Sequence, residues 1–291
     1  MTIVQMLLGA LVCSGLVLVA MWRMAAARLP RESASLPGAV QLVIGFVTNF
    51  FDTLGIGSFA TTTAVFRLMK IVPDELIPGT MLIGHALPVV AQALIFTTVV
   101  EVNPGQMVIL IACCVVGGWI GAGVVASVSR RTIQYAMAVA LTAAAVLMLI
   151  GMFGLIPGGG TATTFPPRAF AIAIAVSVVL GALLTVGIGN YAPSLIIFSL
   201  LGMDPRAAFP IMMGSGAFVA TIAGVRFIRG ARFDNRAALG LALGGIPGVL
   251  VAAWLVRSLP LEALRWLVLV VVLYTAVSLL RSAKLGSGRE S

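Results

Sequence analysis

Phe51-Asp-Thr-Leu-Gly-Ile-Gly-Ser-Phe59 interrupts an apolar stretch with two glycines one residue apart. The pattern returns 132 residues later as Thr185-Val-Gly-Ile-Gly-Asn190. The same offset aligns Val72-Pro73 with Asp204-Pro205, Pro78 with Pro210, and Gly84 with Gly216. Further along, an offset of 127 aligns Gly117-Gly118 with Gly244-Gly245, Gly121 with Gly248, and Arg130 with Arg257. A five-residue difference in one loop, near 97–105, accounts for the change. Self-similarity at a fixed offset over this length marks an internal duplication. The chain therefore reads as two halves, 37–155 and 168–282, preceded by one additional N-terminal transmembrane helix at 1–24.

Outside these turns the chain is almost uniformly apolar. Of its 291 residues, 60% are hydrophobic and only 9% are charged, and its mean hydropathy is strongly positive. A soluble domain carries about 25% charged residues, so a soluble fold is excluded. Apolar residues run together without the alternation that a transmembrane barrel requires. The expected fold class is an all-α polytopic membrane protein. Uncharged stretches such as 1–22, 76–100, 102–129, 207–225 and 237–256 each suit one spanning helix of roughly 20 residues. Two longer stretches, 132–167 and 169–203, must contain turns. Gly154-Leu-Ile-Pro-Gly-Gly-Gly160 with Pro166-Pro167 breaks the first, and Gly187-Ile-Gly189 with Pro193 breaks the second. The net charge of +9 comes from basic residues scattered between apolar stretches, which argues for topology signals and against nucleic acid. Cys13, Cys113 and Cys114 lie inside apolar stretches, with neither disulfide nor metal spacing, and read as small packing residues. The first segment has no basic region before its apolar run, and Arg23, Arg28 and Arg31 follow it, so it reads as a retained helix rather than a cleaved signal.

In each half a helix runs to the Gly-x-Gly turn, a short apolar segment follows, and three longer helices complete the unit. The short segments, 58–69 and 190–201, are about 18 Å long as helices. That is well short of a hydrocarbon core of ~30 Å. Each helix before the turn and segment after it is expected to form a broken pair inside the membrane. If each pair is a hairpin, each half crosses five times and the halves are inverted. With the C-terminus cytoplasmic, 14 of the 18 basic residues then lie inside. The parallel arrangement places 11 inside, so basic-residue counting favours the inverted one.

Inverted repeats with broken helices place a substrate site where the halves meet. A helix that begins within the membrane leaves amide N–H groups and partial positive charge at its first turn. An anion satisfies both. Gly55, Gly57, Gly187 and Gly189 allow close backbone approach. Ser58 and Asn190 stand where the new helices begin, and each could cap its helix or bind a ligand. Asp52 and His85 are ionisable groups in or beside apolar stretches, where such groups are expensive. His85 is a candidate proton carrier or substrate contact, against a neutral imidazole bonded to a backbone carbonyl. Asp52 is a candidate charge-controlling group, against a headgroup-level residue or a cap for the following helix. Their repeat equivalents are Ala217 and Leu184, so neither is duplicated. Asn49, Thr53, Thr185 and Ser215 are polar residues of the same segments that could hydrogen-bond an oxyanion, as could Thr48, Gln92 and Tyr191. No nucleophile triad, metal-ligand spacing or nucleotide loop is present in the sequence, and no cofactor is expected.

Phe51–Phe59, the second copy Thr185–Asn190 and the Gly214-Ser-Gly216 segment resemble the helix-breaking signature of the sulfite exporter TauE/SafE family. The resemblance covers about 37–282 and leaves out the first helix. It implies a bacterial inner-membrane permease for a small, sulfur-containing anion such as sulfite or an organosulfonate, working outward. The partners implied are that anion and membrane lipids, with protons and a second copy of the chain (a homodimer) as candidates. The family commonly has Gly-Ile-Gly-Gly-Gly, whereas this chain has Ser58-Phe59 and Asn190-Tyr191 after its glycine pairs. Those side chains add bulk and polar groups where the ligand is expected. The alternatives are a membrane enzyme, which would need a nucleophile or metal set, and a membrane scaffold or assembly protein, which would tolerate changes at both turns.

Overall fold

The computed structural model describes residues 2–27, 36–55, 57–73, 75–124, 135, 138–139, 142–143, 145–146, 149–150, 153, 160–184, 190–258 and 260–285. Every regular element among them is an α-helix. In chain order these are α1 (Ile3–Ala26), α2 (Ala39–Thr53), α3 (Ser58–Leu68), α4 (Ile77–Gly84), α5 (Ala86–Val99), α6 (Pro104–Val124), α7 (Pro167–Leu184), α8 (Tyr191–Leu200), α9 (Pro205–Arg229), α10 (Asn235–Ser258) and α11 (Leu261–Leu285). Five segments are long and apolar enough to cross a membrane: α1, α4 with α5, α7, α9, and Asn235–Val256 of α10. The protein is a multi-pass membrane protein.

Its side chains are sorted as lipid solvation demands. On α2 the buried face carries Ile44, Gly45, Thr48, Asn49, Asp52 and Thr53, spaced as one helical stripe. The outward face carries Val40, Val43, Phe46, Val47 and Phe51, all well exposed. Polar groups point inward and apolar groups outward, the reverse of a helix on a water-soluble protein.

The chain forms two compact units. The first combines Met1–Val99 with Met213–Ser258, and the second combines Val100–Met212 with Leu259–Ser291. Each unit thus combines residues of both sequence halves, and the second also holds the final helix, α11. In the first unit α10 lies along α2 through Gly240, Gly244 and Gly248, whose α-carbons meet the backbone of Gln41, Leu42 and Phe46. Small residues let two backbones approach this closely, the usual means of helix association in lipid. Leu18 and Trp22 of α1 join Ile83, Ala86, Ala220 and Ala238 in one apolar cluster. The Trp22 indole donates to Asn235 Oδ1 at 2.8 Å, so α1 is tied in by a buried hydrogen bond as well as by packing. In the second unit α6 lies along α7 in the same manner, with Gly117 against Val178 and Gly181 against Cys114. Gln106 clamps the start of α6 to the segment before α7, accepting from Phe165 N at 2.8 Å and donating to Phe165 O at 2.9 Å.

The two short helices have matching ends. α3 has 11 residues and α8 has 10, about 15–17 Å each. Each ends with a residue at positive φ, Lys70 at 51° and Gly202 at 99°, which are equivalent at the offset of 132. Each is closed by the same bond across the turn, Ile71 N to Phe66 O and Met203 N to Phe198 O, both at 3.0 Å. This is the Schellman closure of a helix C-terminus.

The first-half segment 76–100 forms one span, Ile77–Val99, in which the single turn residue His85 divides α4 from α5. Pro88 has no N–H to offer the carbonyl one turn back, at Gly84, and its ring crowds that position. The equivalent of Pro88 in the second half is Ala220, and α9 runs through unbroken. One expectation needs correction: of the cysteines read as packing residues, Cys114 is buried and Cys113 half-buried, but Cys13 is exposed.

Candidate functional site

The first glycine turn is built by its backbone. α2 ends at Thr53, and Gly55 takes φ 97° and Gly57 takes φ 87°, conformations that L side chains rarely adopt. Gly57 then serves as the N-cap of α3 with no side chain to cap it. The first turn of a helix has amides with no carbonyl partner inside the helix. One of them is met by α2 itself: Ser58 N donates to Asp52 Oδ1 at 2.6 Å. The Asp52 carboxylate, 3% exposed, sits on the positive end of α3.

Around that contact lies a continuous polar network, buried throughout. Gln92 of α5 donates from Nε2 to Asp52 Oδ2 at 3.0 Å and to Thr53 Oγ1 at 2.9 Å. The Thr53 hydroxyl donates to Asn49 O at 2.7 Å. Asn49 Nδ2 donates to Gly45 O at 2.8 Å, which turns its Oδ1 toward His85 Nδ1 at 3.1 Å. On the other side of the ring, His85 Nε2 lies 2.9 Å from Thr62 Oγ1. A neutral imidazole with its proton on Nδ1 satisfies this arrangement, donating to Asn49 and accepting from Thr62. The break at Pro88 places His85 at the joint between α4 and α5, where its ring bridges α2 and α3. Phe59 covers the ring, with centroids 5.9 Å apart.

Asn49, Asp52, Thr53, Gly55, Gly57, Ser58 and His85 are therefore gathered in one place in the first unit. Ser215 is buried on α9. In the second unit Asn190 is the N-cap residue of α8 and is 2% exposed. Thr185, Gly187 and Gly189 lie outside the described residues. Neither Ser58 nor Asn190 caps its helix through its side chain. Ser58 lies one residue inside α3, and the Asn190 side chain makes no capping bond. Few buried side-chain polar atoms lack a partner among the described residues, and Ser58 Oγ and Asn190 Oδ1 are two of them, with Thr97 Oγ1 another. Ser58 and Asn190 are equivalent in the duplication. An orphaned polar atom in a dry interior costs free energy that a ligand could recover.

Residues 169–291 match the sulfite exporter TauE/SafE family. That family is one of membrane transporters, and the apolar helices of this chain fit it. The match covers the second half of the duplication, from within α7 onward, with Asn190 and Ser215 inside it. No curated protein and no solved structure matches the chain.

Thr62 and Gln92 complete the network, and sequence reasoning gave them too little weight. Gln92 stood among the polar residues of the segment, but nothing in one sequence shows that it reaches Asp52, 40 residues away. Thr62 had a readable signal. It lies four residues after Ser58, on the same face of α3, and its equivalent Ser194 is also a buried hydroxyl residue. Among the described residues no group of three or more His, Cys, Asp or Glu could hold a metal ion.

Proposed function

We propose that the protein is a secondary transporter that carries a small oxyanion, in the first instance a sulfur-containing one such as sulfite or an organosulfonate, outward across the bacterial inner membrane. One observation carries the anion site. At equivalent positions of the duplication, each half-length helix starts beside a buried side chain with an unpartnered polar atom, Ser58 Oγ and Asn190 Oδ1. A hydroxyl and an amide can both donate to an oxyanion, and the first-turn amides of α3 and α8 point the same way along their helices. The amides of Phe59 and Ala60 have no carbonyl within α3 to bond, so they remain as donors beside the one that Asp52 uses. The family match supports transport as the activity and the sulfur oxyanion as the first substrate class to test.

In this reading the duplicated halves are inverted and the C-terminus is cytoplasmic. The count of basic residues supports that orientation. Gly55, Gly57, Gly187 and Gly189 are proposed as substrate-contacting positions, with Thr185 and Ser215 as further donors.

The test is anion flux in proteoliposomes loaded with sulfite, sulfate, thiosulfate or methanesulfonate. Gly57→Val and Gly189→Val should each abolish flux while the protein still elutes as a folded species. Full flux in both variants refutes the paired anion cradle, whereas a scaffold predicts no flux even in wild type.

A further inference from the structure

We propose that Asp52 is a tethered stand-in for the transported anion: an incoming oxyanion displaces its carboxylate from the start of α3, and Asp52 takes up one proton as the anion binds. This rests on the transporter reading above and specifies how that site handles charge. The carboxylate already occupies the position where the anion would be held. Its Oδ1 accepts from Ser58 N at 2.6 Å, and the orphaned Ser58 hydroxyl belongs to the same residue. Its Oδ2 accepts from Gln92 at 3.0 Å. Among the described residues it has no ion-pair partner, so these neutral donors and the end of α3 hold its charge.

A second anion at that helix start would face a like charge at close range in a medium of low dielectric, where repulsion is strong. Protonation removes the conflict. Before binding, the site holds one negative charge on Asp52. Afterwards Asp52 is a neutral acid, a monovalent oxyanion carries the charge, and the proton comes from the aqueous side. The protonated carboxyl keeps an acceptor for Gln92 and gains a donor for the anion.

Among the described residues no competing titratable group faces Asp52. From α2, Asn49 and Thr53 face the network. From α3 come Ser58 and Thr62, and from α5 comes Gln92. From α10 come the glycines that pack on α2, with Gly245 against Asn49. His85 turns its two nitrogens to Asn49 and Thr62, not to Asp52. Arg67 and Lys70 sit at the opposite end of α3 and are exposed. The second copy has Leu184 at the equivalent position, so the stand-in belongs to one helix start only.

Calorimetry of the full-length protein in detergent decides the matter. Methanesulfonate and ethanesulfonate are the probes, since both are monovalent and neither titrates near neutral pH, and each is run in two buffers of different ionisation enthalpy. Wild type should take up about one proton per anion bound, with affinity falling up to tenfold per unit of rising pH. Asp52→Asn keeps an acceptor for Ser58 N and should bind with no proton uptake and a flat pH dependence. Wild-type binding without proton uptake overturns the proposal alone and leaves the anion site standing. Unchanged uptake in Asp52→Asn does the same. If neither probe binds wild type at any pH, the anion site itself fails and takes this proposal with it. Should Asp52→Asn not fold, the wild-type proton count is decisive by itself.

Discussion

Ser58→Ala removes a single oxygen atom that makes no hydrogen bond of good geometry in the protein. The residue is 1% exposed, so the hydroxyl is buried without a well-formed hydrogen bond to the protein. An unpaired buried polar group costs the folded state about 1–3 kcal/mol. The variant should therefore unfold at the same temperature as wild type or slightly above it. The anion-bound state is different. A hydrogen bond to a charged group contributes about 1.5–3 kcal/mol, so its loss weakens binding roughly 10- to 100-fold. The Ser58 amide is untouched and still meets Asp52. The assay is thermal unfolding in detergent across an anion titration, because a ligand that binds only the folded state raises its stability by RT ln(1 + [L]/Kd). The expected pattern is an unchanged baseline with the anion-dependent rise moved to 10- to 100-fold higher concentration. Counterflow in proteoliposomes should shift in parallel. Asn190→Ala removes a larger side chain and should lower the baseline modestly while moving the anion response by a similar factor. A fallen baseline in Ser58→Ala with an unmoved anion response would mean that the hydroxyl supports the fold rather than a ligand, and the site would have to be sought elsewhere.

Other positions separate strain, packing and hinge effects. A Cβ at Gly57 meets nothing within 4 Å, but φ is +87°, so Gly57→Ala should cost about 1–3 kcal/mol by backbone strain alone, read as a lower melting temperature with reduced flux. Gly245→Ala puts a Cβ 2.5 Å from both Asn49 Nδ2 and Pro88 Cγ. It should destabilise by about 1–3 kcal/mol and loosen the Asn49–His85 contact, seen as faster amide exchange in α4 and α5. Pro88→Ala restores a donor for Gly84 O, so α4 and α5 should join into one helix. Helix content by circular dichroism should hold or rise while flux falls, because His85 leaves the joint that aims it at Thr62. Unchanged flux there would show that the break is dispensable.

Much of the fold was legible because its signals are local. Long uncharged runs, Gly-x-Gly turns and the duplication predict helices, their interruptions and two short post-turn segments, and α2, α3 and α8 lie where those signals place them. The break at His85 was also written in the sequence, as Pro88 one turn after Gly84, but proline is tolerated in many membrane helices and its presence alone does not decide. The two compact units were not legible. Glycine spacing shows that a helix offers a close-packing face, as Gly240, Gly244 and Gly248 do, yet it does not say that α2 is what lies against them. The site divides in the same way. Asp52 and His85 stand out because ionisable groups are rare in lipid, whereas Gln92 and Thr62 are ordinary polar residues until the fold brings them to those groups. That Asp52 meets the first amide of α3 depends on the turn of Gly55 and Gly57 bringing Ser58 N back to α2, a matter of three-dimensional geometry.

The duplication also explains why the network belongs to one half. At the offset of 132, Asn49, Asp52, His85, Pro88 and Gln92 correspond to Gly181, Leu184, Ala217, Ala220 and Gly224. Every one of these partners is small or apolar. Such a wholesale difference fits groups that satisfy one another: removing any single member of a buried network strands the donors and acceptors of its neighbours, while removing all of them costs little. What the halves share is different in kind. Ser58 and Asn190, Thr62 and Ser194, and Phe66 and Phe198 keep a polar start, a buried hydroxyl and a large apolar anchor on each short helix. On the proposed function, the shared features would serve a task common to both halves, holding an anion at a helix start, and the unshared ones a task needed once, balancing the charge of a single anion. Introducing Leu184→Asp into the second half tests that division. It should place a second carboxylate near Asn190, and without Gln92 or His85 equivalents to support it, it should lower stability by several kcal/mol and fail to restore proton-linked binding to Asp52→Asn.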